Sequence, residues 1–233
     1  MADKEDKLQK ERAERRQKFL DWEIEKELPA EIGEYKLHRI DRQEERIYFA
    51  FGWQSEETGW EVRILFDEET MDYMVKMYLR LITLTEIECI TGDFEEFKRN
   101  VRLLTPKSIE KELIRREEVS IIVRGRGFLA WDYEDFFPET IGAYRRVLEP
   151  KRPLLGLNGS YIICAYECRE KETGILFFYN MYRDEYYGEL RAGGIPGIIH
   201  QYDAKTIPQF EETLRKHLKK DLEDLYNHPI IDD

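Results

Sequence analysis

Residues 19–36 read FLDWEIEKELPAEIGEYK and residues 128–145 read FLAWDYEDFFPETIGAYR, an ungapped match at an offset of 109. Eight of the eighteen positions are identical: Phe19/Phe128, Leu20/Leu129, Trp22/Trp131, Glu25/Glu134, Pro29/Pro138, Ile32/Ile141, Gly33/Gly142 and Tyr35/Tyr144. Ordinary residue frequencies give about one identity over such a length. A chain that repeats its large apolar residues, its Pro and its Gly at one spacing is constrained to fold as two copies of one unit.

The match resumes at an offset of 115, where IYFAFGWQSEETGWEVRILF (47–66) lies over IICAYECREKETGILFFYNM (162–181) with Glu57-Thr58-Gly59 and Glu172-Thr173-Gly174 in common. The change of offset implies an insertion in the second copy around Pro150 to Asn158. Within one copy, Ile47–Phe51 and Trp60–Phe66 flank a polar turn and predict a β-hairpin. Tyr73–Leu79 and Leu81–Ile90 supply third and fourth strands. Asp93 then caps a closing helix with the stripe Phe94, Phe97, Val101 and Leu104. Thr206 and Gln209 stand in the same relation to Phe210, Leu214, Leu218, Leu222 and Leu225. A further helix starts at Thr105-Pro106 and runs to about Glu118. The expected fold class is therefore α+β. A charged helical arm (1–18) precedes two units (19–118 and 119–233), each an antiparallel sheet of about four strands with a closing helix, packed as a pseudo-dimer. Because residues 4–18 are almost wholly Lys, Glu, Arg and Gln, the arm is expected to be an exposed helix.

Hydrophobic residues at 42% and charged residues at 37% describe a globular chain with a heavily solvated exterior. No apolar run is long enough to span a bilayer and the first residues are polar, so the expected address is the cytoplasm, with no membrane partner. The net charge of −12 disfavours nonspecific nucleic-acid binding. The charge is uneven, however: residues 98–126 hold nine Lys/Arg against four Glu, leaving room for a local basic surface.

Cys164 and Cys168 lie four strand residues apart, about 13 Å, beyond disulfide reach. They align with Phe49 and Trp53 at the second offset, which makes them core residues; Cys89 has no partner in sequence. His38, His200, His217 and His228 lack zinc-ligand spacing, and His217 is placed to pair with Asp221 one turn on. Asn158-Gly159-Ser160 reads as a turn. No phosphate loop, nucleophile elbow or dinucleotide fingerprint occurs, so no metal and no cofactor is expected. Glu25 and Glu134, kept in both copies, read as shared structural residues.

Two segments could cradle an anion or simply turn the chain: Arg124-Gly125-Arg126-Gly127, and Gly193-Gly194-Ile195-Pro196-Gly197 after Arg191. Phe177 to Tyr187 concentrates aromatic residues around Arg183, which suits either an interface or strand packing. The first copy has acidic residues and Met at the corresponding place, so the expected ligand or partner site is Tyr179, Tyr182, Arg183, Tyr186, Tyr187 and Arg191 with Gly193 and Gly194. The leading functional expectation is a non-catalytic cytoplasmic interaction or regulatory protein with a protein partner. Two alternatives stay open: a nucleic-acid binder using the basic middle segment and the Tyr/Arg cluster, and an enzyme with a carboxylate or Arg site between the copies.

Overall fold

A computed structural model describes residues 2–156 and 159–229, and it divides the chain into two compact units, Met1–Glu110 and Lys111–Asp233. The first unit opens with helices α1 (Ala2–Leu20) and α2 (Ile24–Glu27). A six-stranded antiparallel meander follows: β1 (Glu31–Ile32), β2 (Tyr35–Glu44), β3 (Ile47–Ser55), β4 (Glu61–Asp67), β5 (Asp72–Leu79) and β6 (Ile82–Thr85). Helix α3 (Phe94–Leu103) and the helical turn α4 (Thr105–Ser108) close the unit.

The second unit has a helical turn, α5 (Ile121–Arg124), and the strands β7 (Thr140–Ile141), β8 (Tyr144–Leu148), β9 (Leu154–Leu155), β10 (Ser160–Cys168), β11 (Thr173–Asn180), β12 (Glu185–Ala192) and β13 (Ile195–Ala204). Its sheet is ordered β13-β12-β11-β10-β8-β7, with β9 paired to β10, and helix α6 (Ile207–Asn227) packs on it. Asn158, and with it the end of the expected insertion, lies outside the described residues. Among the described residues no helix is long and apolar enough to cross a membrane.

The sheets have six and seven strands rather than about four. The extra strands are largely those at the start of each unit, where β2 carries Lys36, His38, Arg39, Asp41, Arg42 and Glu44 and so lacks an apolar signature. Leu81–Ile90 is strand only as far as Thr85 and then a 3₁₀ turn at Ile87–Cys89. The helical segment after Thr105 ends at Ile114, short of Glu118.

The starts of β3, β5, β6 and α3 recur 113 residues later as the starts of β10, β12, β13 and α6. A bulge at Ala50 recurs at Ile163, and the paired residues Phe66 and Tyr73 recur as Tyr179 and Tyr186. The helix caps agree as well, Asp93 accepting from the Glu96 amide and Thr206 from the Gln209 amide. The structural register is thus 113, not 115, and it sets Cys164 against Phe51 and Cys168 against Ser55. Sequence comparison was drawn to the wrong register by the shared Glu-Thr-Gly, because the loops before β4 and β11 differ in length.

In each unit the segment ahead of the first hairpin lays aromatic rings over one face of the sheet. Phe19 packs on Tyr48, Tyr73 and Phe94 at 5.6, 5.7 and 5.1 Å, and Trp22 on Phe51 at 5.2 Å. Phe128 packs on Tyr179 at 5.1 Å, and Trp131 on Phe137 at 5.4 Å. Trp53 Nε1 donates to the Pro29 carbonyl at 3.0 Å, and Tyr166 Oη to the Pro138 carbonyl at 2.5 Å. The next turn needs a left-handed residue, which Gly33 (φ 56°) and Gly142 (φ 59°) provide without a Cβ penalty.

Helix α1 is exposed along most of its described length, as its composition suggests, yet three of its arginines dock it on the sheet. Glu68 receives Arg12 at 2.9 and 2.8 Å and Arg15 at 2.9 Å, while the Arg15 guanidinium lies 3.8 Å from the Phe66 ring centroid. Arg16 forks onto Asp41, which also accepts from Tyr48 Oη at 2.8 Å. Arginine stems cover apolar surface while their heads meet carboxylates, so a charged stripe docks as well as an apolar one. The side-chain hydrogen bond from Arg12, with smaller help from Arg15, holds the Glu68 carboxyl below its ordinary range. Glu68→Gln leaves Arg15 without its carboxylate partner and should cost about 3 kcal/mol in urea unfolding at neutral pH. Because the folded value is depressed, the contribution is full above the unfolded carboxylate range and is lost as pH falls through the folded value. The difference between the Gln variant and the parent should therefore shrink in unfolding curves recorded below about pH 4.

Candidate functional site

The β11–β12 connection is built by Asn180. Its Oδ1 accepts from the Tyr182 and Arg183 amides at 3.0 Å each, and its Nδ2 donates to Ser160 Oγ at 3.0 Å. Asp184 closes the turn at φ 50°, a left-handed conformation that Asp tolerates. The Tyr182 ring is 76% exposed yet seated. It packs against Gly159, where an added Cβ would come within 2.3 Å of Tyr182 Cε2. An exposed aromatic ring already packed against a glycine loses less freedom on binding than a free one.

Basic side chains gather beside that ring. Arg126 Nη1 donates to Asp184 Oδ2 at 3.1 Å, bringing the Arg124-Gly125-Arg126-Gly127 segment to the turn. Arg183 and Lys205 reach Glu185 at 3.5 and 2.8 Å. Glu185 stays below the ordinary carboxylate range, first through the Lys205 hydrogen bond. Three cations (Arg126, Arg183 and Lys205) thus meet two carboxylates (Asp184 and Glu185). The exposed Tyr182 adds an aromatic face to this local excess of positive charge on an otherwise acidic chain.

The eight residues expected to form one site do not converge. Tyr179 and Tyr186 are 1% and 4% exposed. Tyr186 stacks on Phe210 at 5.0 Å, and Tyr179 Oη donates to Asp184 at 2.6 Å. Burial raises the pKa of both phenols, that of Tyr186 to about 12. Tyr187 projects from the other face of the sheet, stacks on Phe178 at 4.7 Å and donates to Ser160 Oγ at 3.1 Å. Arg191 pairs with Glu189, whose carboxyl is pushed up by burial. Gly193 and Gly194, with φ 54° and 84°, form the β12–β13 turn at the far end of β12 from Tyr182, about 26 Å away by strand rise. Tyr182 and Arg183 alone remain at the candidate surface. Of the Arg124–Gly127 segment, singled out separately in sequence, Arg126 reaches Asp184 of the same turn, whereas Arg124 donates to the Val119 carbonyl at 3.2 Å.

The other sequence candidates are structural in their contacts. Glu25 and Glu134 pair with Arg39 and Arg146 of the neighbouring hairpin strand. Asp221 does not take His217 as a partner; it accepts from Tyr202 Oη at 2.5 Å and from Gln201. Among the described residues no group of three His, Cys, Asp or Glu could hold a metal ion.

No known protein family, curated protein or solved structure matches the chain.

All three cysteines are free and buried. Burial is the first cause that raises the Cys89 thiol to about 12 and the Cys164 thiol well above its usual value. Ellman's reagent at pH 8 should therefore label none of them within minutes in the native protein and all three after denaturation; fast native labelling of Cys164 would contradict the packing of β10.

Proposed function

We propose that the chain is a tandem duplication of one α+β unit that works as a non-catalytic cytoplasmic interaction or regulatory protein, with the second unit carrying the binding surface. The common register of 113 supports the duplication, because strand starts, bulge and helix caps agree with it, and so do Trp53 and Tyr166, the donors to the proline carbonyls that recur 109 residues apart. Divergence supports the assignment to the second unit. Its β11–β12 turn has Tyr182 and Arg183 where the first unit's β4–β5 turn has Glu69 and Thr70.

One observation carries the reading: an exposed tyrosine ring packed on Gly159, in a turn whose Asp184 receives Arg126 from a separate segment. Tyr and Arg are the residue types that most often dominate interface energetics. The raised pKa values of the buried thiols and phenols fit the non-catalytic part, since none of these groups is made more nucleophilic by its surroundings.

The docking of Arg126 on the turn that carries Tyr182 also favours a second reading, in which the ring stacks on a base of a single-stranded nucleic acid and the arginines follow its backbone. The net charge opposes it.

The Tyr182→Ala/Arg183→Ala double variant should lose capture of a protein partner by more than about tenfold while its unfolding free energy changes by about 0.5 kcal/mol or less, because both side chains are exposed. Unchanged capture would remove this surface from consideration. Salt-sensitive binding of a single-stranded oligonucleotide, abolished by the same pair of substitutions, would transfer the site to the second reading.

A further inference from the structure

A groove runs along α6 in the second unit, between that helix and the β7–β8 hairpin. It comprises two adjoining cavities of about 410 and 340 Å³ that share Ile141, Gly142 and Lys219. Leu214, Leu218 and Leu222 form its floor in successive turns of the helix, and Tyr226 stands at its end. The mouth is open over Gly142, where an added Cβ would meet nothing within 4 Å. From Arg215 to Tyr226 the helix rises about 16 Å, the scale of a medium-length aliphatic chain.

The corresponding place in the first unit is spanned by an ion pair. There Arg102 donates to Glu27 at 2.8 Å, and Glu27 also accepts from Trp22 Nε1 at 3.1 Å. In the second unit Glu27 is replaced by Phe136, 109 residues on, and Arg102 by Arg215, 113 residues on. The Trp131 indole turns instead to Glu211 at 2.7 Å, and the Arg215 guanidinium lies over the Phe136 ring at 4.4 Å. Thr105 has likewise become Leu218. An ion pair in one unit has become an apolar wall in the other, leaving an arginine at its edge without a carboxylate partner among the described residues.

Lys219 adds a second cation one turn along. Its contact with Glu223, at 3.9 Å between side chains 82% and 61% exposed, is worth little. Asp135 lines the other edge, and Lys171 lies 5.0 Å from the Tyr226 ring. Asp135 and Glu223 also line the groove, but an apolar trough edged by a guanidinium that no described carboxylate holds suits a molecule with one apolar chain and one anionic head.

We propose that this groove binds a single-chain carboxylate amphiphile, with Arg215 and Lys219 holding the head and the Leu218–Leu222–Tyr226 row holding the chain. The inference rests on the duplication for its choice of Phe136 as the decisive change. The test is isothermal titration of the full chain with dodecanoate, octanoate and dodecyltrimethylammonium, each below its micellar concentration. Each methylene buried adds roughly fourfold to binding. Dodecanoate should therefore saturate one site and bind at least about tenfold tighter than either competitor. Arg215→Glu should weaken dodecanoate at least about tenfold with the unfolding midpoint unchanged, because Arg215 is exposed. Phe136→Glu, which gives Arg215 the partner that Arg102 has, should do the same. If only Arg215→Glu weakens binding, the groove stands and the comparison between the units fails. Lack of saturable dodecanoate binding, or equal binding of the cationic amphiphile, would overturn the proposal and leave the groove to an apolar peptide.

Discussion

Each sheet in this protein gains one dry face because the residues ahead of its first hairpin lay a phenylalanine and a tryptophan across it before the closing helix arrives. Phe19 and Trp22 in the first unit, and Phe128 and Trp131 in the second, are at most 6% exposed. Burying a residue of this size removes a large apolar area from water, so losing one would cost several kcal/mol, on the order of 3–5 for a tryptophan cut to alanine. The remaining features of each unit are arranged around that layer. The proline carbonyl is aimed at Trp53 or Tyr166, the following glycine turns the chain into the first long strand, and the capped helix seals the top.

A buried indole must place its N–H, and the two units solve this differently. Trp22 uses Glu27, which then also holds Arg102; Trp131 uses Glu211 of α6, which frees position 136 to become a phenylalanine. One relocated acceptor thus changes the chemistry of a whole helix flank while leaving the core layer intact. The same economy applies to tyrosines. Tyr48, Tyr133, Tyr179 and Tyr202 each end at a carboxylate, Asp41, Glu149, Asp184 and Asp221 respectively, so ring burial and hydroxyl satisfaction come together. For that reason a dense run of tyrosines in sequence is mostly core here, and only the turn residue Tyr182 is presented outward.

The charged first helix shows what composition leaves out. With so few apolar residues it has the profile of a solvated arm, yet Arg12, Arg15 and Arg16 dock it through Glu68 and Asp41, which lie some 25 to 56 residues away in the chain. Nothing local distinguishes those arginines from Lys7 or Lys10, whose ion pairs with Glu11 and Glu14 lie along the helix surface.

The repeated Phe-Leu-x-Trp segment, the strand alternation from Ile47 to Leu79, the capped closing helices and the buried cysteines were all legible in the sequence, because each follows from periodicity, capping chemistry or side-chain volume within a few residues. Strand β2 was not, since a strand that carries Lys36, His38, Arg39, Asp41, Arg42 and Glu44 has too little apolar alternation to read. Nor was the register of 113, which depends on strand pairing rather than on the loop residues that happen to be shared. Sequence alone determined an α+β chain of antiparallel strands and capped helices. Tertiary structure decided which aromatic and basic residues face outward: Arg126 reaches the turn that carries Tyr182 only because a distant glycine-rich segment ends beside Asp184. Side-chain direction on a strand and contact across 58 residues between Arg126 and Asp184 are set by pairing and packing, not by neighbours in the chain.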